Sequence, residues 1–158
     1  MSDKTKRLYF FRILCVLWMT VIFVFSSRNG EVSSNDSGQI LLFFQNFFSV
    51  PGDKLSETVV YAATFVIRKS AHIFEYFVLG VLVSGSLYSN KPNKKSVLTA
   101  FVLCVLYRAS DEIHQLFVPG RSGMVRDVFI DSIGIALGVF IYRVIISTIS
   151  KRKNVRRL

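Results

Sequence analysis

The sequence predicts an all-α, polytopic membrane helical bundle: a single domain over residues 1–158 with four transmembrane helices plus an interfacial or re-entrant helical segment. Hydrophobic residues make up 51% of the chain and charged residues 19%, whereas a soluble domain usually carries about 25% charged residues. The apolar residues are gathered into four long runs. Four such runs in 158 residues leave almost no amphipathic helix to face water, so a soluble fold is excluded.

The four runs place the spans near residues 8–26, 71–88, 97–117 and 128–149. A spanning helix needs roughly 17–25 residues, and the third run reaches this length only with a polar extension that includes Arg108. The first run follows a basic start, but it is longer than the usual core of about 7–15 residues in a signal peptide. It also lacks an A-x-A-like site, so we expect an uncleaved anchor.

Between the first two spans lies a segment that is too short and too interrupted to cross the membrane. It opens with polar turn residues from Ser26 to Gly38, followed by a Phe-rich stretch that ends at Pro51-Gly52. The apolar residues follow helical spacing, which makes 39–67 an interfacial or a re-entrant segment. Within it, we expect Asp53 to cap a helix that continues to Ile67.

The distribution of charge predicts the orientation of the bundle. With four spans, both termini and the 89–96 loop share one side, which holds thirteen basic residues and one acid; the other side holds seven basic residues and nine acids. By the positive-inside rule, both termini are then cytoplasmic. Topology and attraction to anionic lipid thus explain the net charge of +10, which removes nucleic acid as a favoured partner.

The last three spans each carry a stripe of polar side chains near the outer face. Helical rotation of about 100° per residue groups these side chains on one side of each helix. Ionisable groups in hydrocarbon must pair or face a wet cavity, so we expect the stripes to converge in one pocket. Gly134 and Gly138 should let a neighbouring helix approach closely. The predicted ligand-binding residues are Lys69, His72, Glu75, Tyr76, Asp111, Glu112, Gln115, Arg121, Asp127 and Asp131.

Three ordered motifs closely resemble the VanZ-like membrane protein family. They are Lys69-x-x-His72-x-x-Glu75-Tyr76, the block from Tyr107 through Asp111-Glu112-x-x-Gln115 to Pro119-Gly120-Arg121, and Asp127-x-x-x-Asp131 with Gly134. The resemblance covers most of the chain and implies a small multi-pass protein of the bacterial cell (plasma) membrane. It also implies an association with resistance to glycopeptide antibiotics, notably teicoplanin. Arg108 departs from the family pattern, which would place a small residue there, and we expect it to pair with Asp111 or Glu112.

The favoured function is binding of an anionic or lipid-linked envelope molecule. Arg121 has the bidentate fork that suits phosphate or carboxylate, and Lys69 adds a second positive charge. Membrane lipid or a lipid-linked envelope precursor is therefore the expected partner. The sequence leaves the ligand and the oligomeric state open.

Two alternatives remain at this point. One is a membrane-embedded enzyme that acts on a lipid-linked substrate, with His72, Glu75, Asp111 and Glu112 as candidate acid–base groups. The other is a purely structural polar network. We expect no cofactor and no metal, because His72-x-x-Glu75 has no second matching motif. Cys15 and Cys104 fall within the predicted spans and are expected to be packing residues.

Overall fold

The computed structural model describes residues 1–48, 55–87 and 92–155. Within these ranges the chain forms five α-helices and no strand, which confirms the all-α prediction. The helices are α1 Asp3–Ser26, α2 Gly30–Phe47, α3 Glu57–Leu87, α4 Lys94–Gln115 and α5 Val125–Val155.

Polar caps explain where three of these helices begin. The Ser2 side chain accepts a hydrogen bond from the Thr5 amide at the start of α1. Asn29 caps α2, and Asn93 forms a reciprocal capping box at the start of α4. Such caps satisfy amide groups that have no partner within the helix.

The closest helix pair in the bundle is α3 and α5. A Cβ atom at Gly134 would lie 2.2 Å from the carbonyl oxygen of Ile73, and one at Gly138 would lie 2.1 Å from that of Phe77. A larger residue therefore does not fit at either position without moving a backbone, which confirms the predicted close approach at these glycines. Because Gly134 faces Ile73 and Gly138, one turn later, faces Phe77, helices α3 and α5 run in the same direction.

The other two long helices run the opposite way. Tyr107 of α4 donates to the carbonyl oxygen of Met19 in α1 at 2.7 Å, and Trp18 of α1 donates to that of Glu75 in α3 at 2.9 Å. At the far end, the Phe11 ring of α1 lies 5.8 Å from the Tyr142 ring of α5.

The bundle thus has two chemically distinct ends. The start of α1, the start of α4 and the C-terminal part of α5 share one end, which we call the basic end. The opposite end, where α1 and α4 finish and α5 begins, is the polar end.

Among the described residues, three helices are long and apolar enough to cross a membrane: Asp3–Ser26, Glu57–Leu87 and the Val125–Ser150 part of α5. The prediction of four spans is wrong at the third run, because α4 does not meet these criteria. It has 22 residues, but Arg108, Asp111 and Glu112 lie in its last third and lower its hydropathy. These three side chains are buried inside the bundle.

The segment between the first two predicted spans also differs from the prediction. The stretch expected to form turns is largely helical, because the Asn29 cap starts α2 at Gly30. The expected outer helix and the second span are one continuous helix, α3. The Pro51-Gly52 break and the Asp53 cap lie outside the described residues. Phe43 and Phe47 of α2 are exposed, as suits an interfacial helix.

An apolar core fills the centre of the bundle. Ile22, Leu79 and Ile135 are fully or almost fully buried there. Cys15 and Cys104 lie in the same core as free thiols, which confirms that they are packing residues.

Candidate functional site

Two adjacent polar regions occupy the polar end of the bundle. The first is a buried group of charges centred on Arg108, which we call the Arg108 cluster; it contains Arg108, Asp111, Glu112 and Asp131. The second is an open cavity lined mostly by basic side chains, which we call the cationic pocket.

Arg108 is the only cation within the Arg108 cluster. Its side chain is 2% exposed, and its Nε donates to Asp131 Oδ2 at 2.6 Å. Its Nη1 forms an ion pair with Glu112 and lies 3.4 Å from Asp111 Oδ2. The ion pair predicted for Arg108 is therefore present, and α4 is tied to α5 through the Asp131 contact.

Further hydrogen bonds connect the Arg108 cluster to other elements. Tyr76 of α3 donates to Asp111 Oδ2 at 2.8 Å, and Gln115 donates to the same oxygen at 3.3 Å. Gln115 also donates to Ser26 Oγ at the end of α1, at 2.9 Å. The Met124 amide donates to Glu112 Oε1 at 2.5 Å, which fixes the residues just before α5.

The cationic pocket is a cavity of about 250 Å³ between α2, α3, α4 and the turn that precedes α5. Five cationic side chains line it but only one carboxylate: Arg68, Lys69, Arg108, Arg121 and Arg126 against Asp127. His72 and Gln115 add polar groups, and Tyr61 and Phe65 form an aromatic side. The pocket is therefore positively charged and suits an anion.

Lys69 is shared between Asp127 and the pocket. Its Nζ donates to Asp127 Oδ2 at 2.5 Å and lies 5.6 Å from the centre of the Phe65 ring. The two charged side chains are only 19% and 15% exposed, so water screens the pair weakly. Asp127 neutralises Lys69, and the cluster carboxylates neutralise Arg108, which leaves Arg68, Arg121 and Arg126 in excess.

Arg121 is positioned by the turn between α4 and α5. Gly120 has φ of 72°, a left-handed conformation that favours glycine, and its carbonyl oxygen lies against Gly30. Arg121 then donates from Nε to the Arg28 carbonyl and from Nη2 to the Phe25 carbonyl, both at 2.9 Å. Much of the guanidinium fork that was predicted to bind an anion therefore donates to backbone carbonyls at the C-terminal end of α1. Burial lowers the pKa of Arg121.

His72 and Glu75 form a separate pair on α3. His72 Nδ1 lies 3.3 Å from Glu75 Oε2, and both side chains are about one-fifth exposed. His72 lines the cationic pocket, while Glu75 does not. The pair places an imidazole and a carboxylate, two groups capable of acid–base chemistry, side by side at the edge of the pocket.

The predicted residues therefore occupy two neighbouring regions. Lys69, His72, Gln115, Arg121 and Asp127 line the cationic pocket, whereas Tyr76, Asp111, Glu112 and Asp131 belong to or contact the Arg108 cluster. Glu75 lies beside the pocket through His72.

Besides Arg108, the predicted set did not include four charged or aromatic residues that line the pocket: Arg68, Arg126, Tyr61 and Phe65. The first two adjoin predicted residues in sequence, which is a usable signal. The aromatic pair precedes the predicted second span, and only the continuity of α3 brings it to the pocket.

Within the part of the chain that the structure describes, no group of three His, Cys, Asp or Glu side chains is arranged to hold a metal ion. In the Arg108 cluster, the guanidinium occupies the position between the carboxylates.

Comparison with known proteins agrees with the motif resemblance. The family model described as VanZ/LLP1 matches residues 11–146, which include the Arg108 cluster and the cationic pocket. No curated protein and no solved structure matches the chain. Because the match extends over most of the sequence, this helical membrane protein belongs to the VanZ/LLP1 family.

Proposed function

We propose that this protein resides in the bacterial cell membrane and binds the anionic head group of a lipid-linked envelope molecule in the cationic pocket. The observation that supports this most is the surplus of positive charge: five basic side chains face the cavity with one carboxylate. Three of them, Arg68, Arg121 and Arg126, have no ion pair with a carboxylate among the described residues. Such cations beside a partly buried cavity are costly, and a bound anion offsets that cost.

The size of the pocket favours a small charged group. Its volume of about 250 Å³ equals roughly eight water molecules at about 30 Å³ each. A phosphate with part of a sugar fits such a volume, whereas a complete lipid does not. The rest of the ligand would lie outside, against an apolar surface.

Aromatic side chains provide that surface. Tyr61 and Phe65 line one side of the pocket, and Phe43, Phe44 and Phe47 are exposed on the adjacent helix α2. In this proposal, the acyl or isoprenoid chain packs against the aromatic surface while the basic groups bind the head group.

The proposed orientation places both termini in the cytoplasm and the polar end outside. The shared end of α1 and α5 carries Lys4, Lys6, Arg7, Arg12, Lys94, Lys95, Arg143 and Arg152, with Asp3 as the acid among the described residues there. Such an excess favours the cytoplasmic side.

Binding of a polyprenyl phosphate by the purified full-length protein in nanodiscs tests the proposal. Arg126→Gln removes a pocket cation and should weaken binding about tenfold, since a hydrogen bond to a charged group contributes roughly 1.5 kcal/mol. Arg28→Gln is the matched control, because Arg28 pairs with Asp36 and does not line the pocket. Equal affinity of wild type and Arg126→Gln would contradict the proposal.

The family association with glycopeptide resistance adds a cellular test. A strain that expresses the wild-type chain should tolerate more teicoplanin than one that expresses Arg126→Gln at the same membrane level. Equal tolerance at equal expression would show that anion binding in the cationic pocket does not contribute to teicoplanin resistance.

A second candidate function is catalysis on the same bound molecule. The His72–Glu75 pair at the pocket favours it, because an imidazole beside a carboxylate can take part in acid–base catalysis. Turnover of a lipid-linked phosphate substrate that is lost in Glu75→Gln while binding persists would support an enzyme. A structural role, in contrast, fits the fully paired Arg108 better than it fits the pocket.

A further inference from the structure

A second cavity lies at the basic end, far along the bundle from the cationic pocket. It is a groove of about 400 Å³ between α4 and α5, which we call the α4/α5 groove. Its lining residues are Lys94, Val97, Leu98, Phe101, Ala136, Val139, Phe140 and Arg143.

The spacing of these residues shows that the groove follows both helix axes. On each helix they recur at i, i+3 or i+4, and i+7, which is one face of an α-helix. Seven residues rise about 10 Å, so the groove is an elongated channel. Its walls are apolar side chains, of which Leu98 and Phe140 are largely exposed. This shape suits part of an extended hydrocarbon chain.

Two cations lie at one end of this apolar channel. Lys94 opens α4, and Arg143 follows the apolar groove residues of α5. Both are exposed, and neither has a hydrogen bond or an ion pair with another described residue. An apolar channel that ends in two unpaired cations matches a chain with a negatively charged head group.

The charge also decides between the candidate occupants. A second copy of the chain on the same groove would place Lys94 and Arg143 against their own symmetry mates, which like-charge repulsion opposes. Free phosphate would leave the apolar walls exposed. An anionic phospholipid would cover the apolar walls with an acyl chain and pair its phosphate with the two cations.

We propose that the α4/α5 groove is a binding site for an anionic phospholipid of the leaflet at the basic end. One acyl chain lies between the two helices, and the head-group phosphate lies between Lys94 and Arg143. This site is independent of the cationic pocket and of the ligand proposed there.

Native mass spectrometry of the full-length protein in detergent tests the site, with phosphatidylglycerol and phosphatidylcholine of identical acyl chains as probes. We expect phosphatidylglycerol to bind at least about tenfold more tightly than phosphatidylcholine. The double substitution Lys94→Gln/Arg143→Gln should weaken phosphatidylglycerol about 30-fold, from roughly 1 kcal/mol per basic residue. The control Arg12→Gln/Lys95→Gln removes the same charge from the same end outside the groove and should change binding less than about threefold.

A second pair of substitutions tests the channel without changing charge. Ala136→Phe fills the groove and should weaken binding about tenfold, since an acyl chain loses its apolar contacts. Leu137→Phe is adjacent, exposed and outside the groove, and it should have no effect.

Equal loss in the two charge variants would overturn the site in favour of general attraction to the basic end. Equal binding of the two lipids, or a dimer that only the groove variants disrupt, would also overturn it. The loss caused by Lys94→Gln/Arg143→Gln should persist in a Lys69→Gln/Arg126→Gln background, in which the cationic pocket is weakened, so failure here is distinguishable from failure of the proposed function.

Discussion

The Arg108 cluster and the cationic pocket lie side by side at the polar end, but their charges are balanced in opposite ways. In the cluster, three carboxylates surround one guanidinium, and the Arg108–Asp131 contact joins α4 to α5. In the pocket, five cations face one carboxylate around open space. Arg108 belongs to both and forms the wall between them.

The difference separates two uses of charge in a membrane bundle. Side chains that are fully buried and mutually paired hold helices together. Side chains that face a cavity without partners are available to a ligand. Substitutions in the cluster should therefore change the free energy of unfolding, and those in the pocket should change affinity.

The largest effect is expected from Arg108→Met. This substitution removes the cation of the cluster and leaves Asp111, Glu112 and Asp131 buried without it. The loss should be about 3 kcal/mol in the free energy of unfolding, the scale for breaking a buried ion pair. Equilibrium unfolding in mixed micelles measures it.

Arg126→Met provides the control on the pocket side of the comparison. It removes an exposed cation and should change the free energy of unfolding by less than about 0.5 kcal/mol. Equal destabilisation by the two variants would show that the cluster and the pocket are not functionally distinct.

An intermediate effect is expected from Gly30→Ala, at the edge of the pocket. The added Cβ would lie 1.9 Å from the Gly120 carbonyl oxygen, so α2 or the turn must shift, at about 1–3 kcal/mol of unfolding free energy. The melting temperature should fall, and ligand affinity should fall with it, because Gly30 and Gly120 line the pocket.

Gly38→Ala is the matched substitution on the same helix. Nothing lies within 4 Å of its added Cβ, and replacing a mid-helix glycine stabilises by about 0.5–1 kcal/mol. If both alanine variants shift the melting temperature in the same direction, the Gly30–Gly120 contact does not hold α2 in place.

The smallest effect on ligand affinity is expected at the Lys69–Asp127 pair. Asp127→Asn frees Lys69 and removes the carboxylate that lines the pocket, so anion affinity should rise about fivefold, equivalent to about 1 kcal/mol. Lys69→Gln should lower affinity by a similar factor. Titration with the polyprenyl phosphate checks both, and changes of the same sign would contradict the role of this pair.

Much of the convergence at the polar end was predictable from general physics. Ionisable groups inside a bundle must pair, and helical rotation indicates which residues share a face. The Arg108–Glu112 pair follows from i, i+4 spacing. The prediction of a pocket that contains Lys69 and Asp127 needed no further information.

The division into two regions was not predictable. Helical rotation gives a direction on one helix, but not the depth or rotation of its neighbours, which the glycines at the α3–α5 contact set. Arg121 reaches the α1 carbonyls because of the left-handed turn at Gly120, which no spacing rule reveals. For α4, mean composition does not reveal that the charged side chains of its last third, Arg108, Asp111 and Glu112, are directed inward.

The length of α3 has a consequence for how a ligand arrives. Its 31 residues extend about 46 Å at 1.5 Å per residue, while the hydrocarbon core is about 30 Å thick. About 20 residues at its C-terminal end suffice to fill that core, which would place the pocket-lining residues, Tyr61 to His72, around the membrane boundary. An amphiphile can then reach the site by lateral diffusion within one leaflet, so encounter depends on its mole fraction in the bilayer rather than on its concentration in water.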